Sequence, residues 1–330
     1  MTNRITAVLL LMVALLTSLG WTAESWGQAK IPRVGILSSF QLTEDPSLKQ
    51  WFEPFRRTLA DQGWIEGKTF LFEHRSAHND PSRFAGAAAE LVALKVDVIF
   101  APSAPMVRAA YAATHTIPIV AQDFTTDPVA EGYVESYNRP GGNVTGVFLD
   151  APEFASKWFE LLKAMVPNLS RVVVLWDPSP GPTHLRAVQS AAQIFGIQLQ
   201  VLEVGKPEDM DRAFSSLRGR PQALIILPSP WIYSQSERLA KLALKYRLPG
   251  TSMARLFADT GGVVAYGPEL ASASERSAAL VAKILGGAKP AELPVERPTK
   301  IQLIVNLKSA RALGLTVPDS VLLRADEVIR

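Results

Sequence analysis

Short apolar runs alternate along the chain with stretches whose apolar residues recur every three or four positions. The first run, Arg33–Leu37, reads as a buried strand. Residues 48–62 then place Trp51, Phe52, Phe55 and Leu59 on one helical face, and Gly63 ends the helix. Strands are predicted next at Thr69–Glu73, Val96–Ala101 and Ile117–Ala121. An alanine-rich helix from Asp80-Pro81 to Leu94 and a second helix over Met106–Thr114 separate them.

From Arg171 the same order begins again. Strands are predicted at Val172–Leu175, Gln198–Val204, Ala223–Leu227 and around Leu248–Thr251. Helices fall at Leu185–Phe195, from Lys206-Pro207 to near Arg218, and over Ser234–Tyr246. A strand at Val263–Tyr266, an amphipathic helix over Leu270–Leu285, a strand at Ile301–Leu307 and a short last helix at Ser309–Leu313 follow. Strands alternating with helices through short links give parallel sheets covered on both faces. Right-handed crossovers collect the loops that follow the strands on one edge, and ligands of open α/β sheets bind there. The predicted fold class is therefore α/β, with two similar, doubly wound parallel-sheet lobes joined by a hinge and facing each other across a cleft.

One event occurs twice. The third strand of each half breaks at Pro-Ser: Val98 to Ala101 runs into Pro102-Ser103-Ala104-Pro105, and Leu224 to Leu227 into Pro228-Ser229-Pro230. The prolines end the strand. Each serine offers a hydroxyl and an amide at the start of a helix, which suits an anion and equally suits a plain turn.

Composition narrows the chemistry. Lys+Arg number 34 against 31 Asp+Glu, and they are scattered, which excludes a nucleic-acid groove as partner. Cysteine is absent, so disulfides, thiolate metal sites and a cysteine nucleophile are excluded. Arg4, the apolar run Ile5–Leu16 and Gly27-Gln28-Ala29 read as a signal peptide, residues 1–29, cleaved near Ala29. With no cysteine to carry a lipid, the mature protein is expected to be periplasmic and not a lipoprotein.

No catalytic set assembles. His74 and His78 have a metal-like spacing, but His74 follows a strand and no third ligand is evident. The chain has no Gly-x-Ser-x-Gly elbow and no phosphate loop, and Gly141-Gly142-Asn143 precedes a strand rather than a helix. Asp123 and Asp127 are close enough to serve as acid and base, while Asp127 before Pro128 equally fixes a turn. No enzyme activity, metal or cofactor is expected, the alternative being a ligand-sensing ectodomain or an enzyme built on the same two lobes.

Several segments together resemble one family: Thr126-Asp127-Pro128-Val129, the run from Pro140 through Gly141, Gly142 and Asn143 to Gly146, residues 283–296, Val305-Asn306 and residues 312–315. They are similar to the ABC-transporter substrate-binding proteins that include binders of tryptophan and related aromatic amino acids. The resemblance spans about residues 32–320 and implies the fold of a type I periplasmic binding protein. It implies a monomeric receptor, a small-molecule ligand held by hinge closure, and an ABC permease as partner. The lobes it implies are residues 30–148 plus 268–302, and 149–267 plus 303–330. The connections between them fall near Thr145–Ala151, Tyr266–Glu269 and Lys300–Val305.

The same resemblance implies ligand contacts at Ser38, Ser39 and Phe40, at Ser103 and Ala104, and at Asp123, Thr125 and Asp127. In the second half it implies Ser179, Thr183, Ser229, Trp231, Tyr233, Arg255 and Tyr266. Two departures stand out. Ser229-Pro230-Trp231 replaces an acidic or amide pair, and Met253-Ala254-Arg255 stands where an Asp is common. Losing acid and gaining Arg favours an organic acid, since a guanidinium fork suits a carboxylate. Arg255 equally fits a structural ion pair, and Trp231 fits either a stacking platform or the core.

Overall fold

The structure, a computed structural model, describes residues 30–42, 48–78, 80–149 and 152–330. The expected signal peptide, and Asp150-Ala151 of the first connection, lie outside the described residues. The first sheet holds β1 (Arg33–Ser38), β2 (Leu71–Ser76), β3 (Val98–Ala101), β4 (Ile119–Asp123) and β5 (Val144–Phe148) in the order β2-β1-β3-β4-β5. Every pairing in it is parallel. The second sheet holds β6 (Arg171–Trp176), β7 (Gln198–Glu203), β8 (Ala223–Ile226), β9 (Gly250–Ser252), β10 (Val264–Pro268), β11 (Ile301–Asn306) and β12 (Glu327–Ile329). Its order, β12-β11-β10-β9-β8-β6-β7, repeats the first sheet from β7 to β10. β11 then joins β10 antiparallel.

Burial explains why these strands are apolar throughout. In β3, Val98 and Phe100 enter one core with Val34, Ile36 and Phe55, while Ile99 and Ala101 enter another with Leu91 and Met106. Successive side chains of a strand point to opposite faces, so both faces need apolar residues when both are covered. In β8, Ala223 and Ile225 go one way and Leu224 and Ile226 the other.

The helices of the first half are α1 (Leu48–Asp61), α2 (Phe84–Ala93) and α3 (Ala104–Ala113). Those of the second are α4 (Pro152–Met165), α5 (Thr183–Phe195), α6 (Asp209–Ser215), α7 (Pro230–Ser234), α8 (Ser236–Lys245) and α9 (Arg255–Asp259). After β10 the chain returns to the first sheet as α10 (Leu270–Leu285), which packs on α1 and against β3, β4 and β5. Ser274 and Ser277 of α10 both donate to the buried Gln122 amide oxygen of β4 at 3.2 Å. The chain then crosses again into β11 and ends in α11 (Leu307–Ala312), α12 (Asp319–Leu322) and β12.

Some boundaries differ from expectation. β2 starts at Leu71, because the Thr69 hydroxyl is taken by a turn and accepts from the Ile65 amide at 2.7 Å. The strand therefore includes His74. α9 and β12 are too short to announce themselves by periodicity.

Contacts between the lobes rest on side chains that meet backbone carbonyls. Arg108 of α3 donates to the Ser179 and Pro180 carbonyls at 3.4 and 3.5 Å. His184 of α5, buried and stacked on Trp158, lies with Nε2 2.8 Å from the Phe124 carbonyl. The rings of Phe40 and Phe124, from the first lobe, pack against apolar cores of the second.

Gly146, which closes the glycine-rich segment, sits at φ +148°, and a Cβ there would stand 2.1 Å from the Ala121 carbonyl oxygen. Gly146→Ala should therefore cost about 3 kcal/mol or more of stability, measured by urea unfolding. Burial holds the His184 and His74 pKa values below the ordinary histidine range. Below about pH 6.5 the unfolded chain takes up protons that the folded chain refuses, so stability falls with acid. Between pH 7.5 and 5.5 in urea unfolding, His184→Gln should lose less stability than wild type, because the histidine's share of the acid sensitivity is gone.

Candidate functional site

Between the carboxyl edges of the two sheets lies a cavity of about 130 Å³. That is an order of magnitude more than the roughly 10–15 Å³ that admits one water. The first lobe contributes Ser38, Ser39 and Phe40 after β1, Ser103 and Ala104 after β3, and Asp123, Phe124 and Thr125 at the end of β4. The second lobe contributes Pro180, Ser229, Tyr233 and Met253, and Trp51 and Leu270 close the sides. Aromatic and apolar groups thus make most of the wall.

Its electrostatics are simple. Asp123 is the one Asp, Glu, Lys, Arg or His residue among the described residues that line the cavity. It is fully buried, and desolvation pushes its carboxyl above the usual carboxylate range. Hydrogen bonds work against that shift: Oδ1 accepts from the Thr125 amide at 2.8 Å and the Thr125 hydroxyl at 2.7 Å, and Oδ2 accepts from the Thr126 hydroxyl at 2.5 Å. A carboxylate has about four acceptor positions, so one is left.

Two hydroxyls in the wall are buried without a hydrogen-bond partner, Ser103 Oγ and Tyr233 Oη. Burial raises the Tyr233 pKa, so its proton stays on and can be donated. Ser103 is the N-cap of α3, but its side chain makes no capping bond. An orphaned buried hydroxyl costs roughly 1–3 kcal/mol, a cost that a ligand hydrogen bond would remove. The second Pro-Ser copy behaves differently. Ser229 Oγ donates to the buried Asp177 at 2.6 Å and caps α7 through the Ile232 amide. The repeat therefore holds one hydroxyl free and one engaged. Ser38 is also engaged, with its Oγ 2.6 Å from His74 Nε2 and bonded to the Phe40 carbonyl.

Six expected residues stand elsewhere. Arg255 grips Glu327 with both terminal nitrogens, at 2.6 and 2.9 Å, and Asp259 through Nε at 3.1 Å. Two carboxylates already neutralise it, so the guanidinium fork expected for an anion is spent within the second lobe. Trp231 is buried in the core on one face of the second sheet. Asp127 accepts from the Val129 amide at 2.9 Å and fixes a turn. Ser179 bonds back to Asp177. Thr183 faces a separate surface groove beside Arg186 and Ile194. Tyr266 packs on Phe154, and its carbonyl accepts from the Trp158 indole at 3.0 Å.

Trp51, Gln122, Met253 and Leu270 line the cavity without having been expected there. Gln122 did leave a signal, a polar residue directly after the apolar run Ile119–Ala121.

Residues 36–329 match the model of the family described as ABC transporter substrate binding protein. The chain belongs to that family. It is a binding protein rather than an enzyme, and its two lobes are those of a type I periplasmic binding protein. A tyrosine-binding protein of Clostridioides difficile (strain R20291) is 27% identical over 279 residues, covering 83% of this chain and 79% of that protein. Among solved structures, an ABC domain from Streptococcus pneumonia in complex with L-Trp aligns with a TM-score of 0.80 at 23% identity, covering 90% of this chain and 99% of that one. A substrate binding protein with adhesive properties from Clostridium difficile, ligand-free and open, aligns at 0.62 and 24% identity, covering 91% and 99%.

For this family member, Ser229→Ala removes one donor from the buried Asp177 and the side-chain cap of α7. A loss of about 1–2 kcal/mol is expected by chemical denaturation.

Proposed function

We propose that this protein is the periplasmic receptor of an ABC uptake system and that it binds an aromatic α-amino acid. The observation that carries this is the charge inventory of the cavity: a buried carboxylate and no cationic side chain, within a wall of Phe40, Trp51, Phe124 and Met253. An ammonium group pairs with the open acceptor position of Asp123. The α-carboxylate takes the Ser103 hydroxyl and the amides at the start of α3, where the helix dipole favours negative charge. The aromatic ring fills the remainder, with the Tyr233 hydroxyl as a further donor. An organic acid without an amine would instead face Asp123 with no cationic side chain in the wall, because Arg255 is committed to Glu327 and Asp259.

Closure proceeds by rotation of the lobes, residues 30–148 plus 268–302 against 149–267 plus 303–330, about the three connections. The higher similarity to the L-Trp complex than to the ligand-free, open relative, at nearly equal identity and coverage, supports a closed arrangement of the lobes here. The leader ends near Ala29, the mature receptor is a monomer, and the closed form docks on a membrane permease.

Titration calorimetry with L-tryptophan, L-tyrosine and L-phenylalanine, set against indole-3-propionate, tests the reading. The amino acids should bind at least about tenfold more tightly than the acid that lacks the amine. Asp123→Asn should erase most of that difference. Affinity for the amino acids should weaken as the pH falls through the raised Asp123 pKa, since a protonated carboxyl no longer attracts an ammonium. Equal or tighter binding of indole-3-propionate would refute the assignment.

A further inference from the structure

Beside the main cavity lies a second chamber of about 290 Å³. Phe124, Tyr233, Met253 and Leu270 line both spaces and form the partition between them. They come from four separate segments: the loop after β4, α7, the loop after β9 and the start of α10. Met253 is unbranched and adaptable, so the partition can yield to a ligand. The polar groups suited to the amino-acid head, Ser103 and Asp123, line the main cavity alone. A ligand seated on them directs its far end toward the partition and the space behind it.

The wall of the second chamber is mainly apolar and carries no unpaired charge. Its two charged members are matched, Arg255 by Asp259 and Glu327, and Glu269 by Lys300 at 3.3 Å. Gln50 of α1, which packs on the first sheet, and Gln302 of β11, in the second sheet, both face it. Both are half-buried, and neither side-chain amide bonds to another described residue. Two unengaged amides offer donors and acceptors to an uncharged polar group.

We propose that the second chamber is a specificity subsite for aromatic amino acids whose ring ends in an uncharged hydrogen-bonding group, a phenol hydroxyl or a carboxamide, held by Gln50 and Gln302. The proposal rests on the amino-acid reading of the main cavity and adds the identity of the side chain. A site with polar groups placed for such an end discriminates against the analogue that lacks it.

The test is titration calorimetry of the full chain with L-phenylalanine, L-tyrosine and 4-carbamoyl-L-phenylalanine. Wild type should bind the two substituted compounds at least about tenfold more tightly than phenylalanine. In Gln50→Leu and Gln302→Leu that ratio should fall towards one. Equal affinities in wild type, or a ratio unchanged in both variants, overturns the subsite and leaves the main-cavity reading standing. If none of the three compounds binds, the amino-acid reading fails and the subsite with it.

Discussion

Two parallel sheets, each covered on both faces, leave one place for polar chemistry. Side chains within β3 and β8 alternate between two apolar cores, so neither face can carry a ligand group. The loops after the strands escape this constraint, and right-handed crossovers put them all on one edge. Ser39, Ser103, Asp123 and Ser229 lie in the wall for that reason, although they are far apart in sequence. Rigid strands hold these short loops in place, and the cavity inherits their fixed geometry.

Asp123 shows how such an edge supports a costly group. Burial penalises its charge, and three donors from Thr125 and Thr126 partly offset the penalty. Asp177, at the end of β6, is built alike, with its donors supplied by Ser179 and Ser229. In Asp177 the serine of the Pro-Ser turn completes the set. In Asp123 the threonines do so alone, and the equivalent Ser103 hydroxyl remains open to the cavity. One turn sequence thus engages its serine in one lobe and leaves it unbonded in the other.

The sequence pattern made most of the architecture legible, because burial on both faces writes itself as continuous apolar runs such as Val98–Ala101. The repeated order of elements also pointed to a second parallel sheet built like the first. Individual site residues were less legible. Helical spacing tells which face of α1 is apolar, but not that Trp51 reaches past the sheet edge into the cavity while Trp231 turns into the core. The two readings of Arg255 could not be separated in the sequence, because its partner, Glu327, lies 72 residues away on a three-residue edge strand with no sequence signature. His74 was placed beyond its strand because the turn at Thr69 shifts β2 by two residues.

The ties across the cleft end on main-chain oxygen. Arg108 holds the carbonyls of Ser179 and Pro180, and His184 meets that of Phe124. Every amino acid carries such an oxygen, so these fastenings are blind to the identity of the residues they grasp. The loops that shape the pocket can therefore exchange side chains while these fastenings between the two sheets stay as they are.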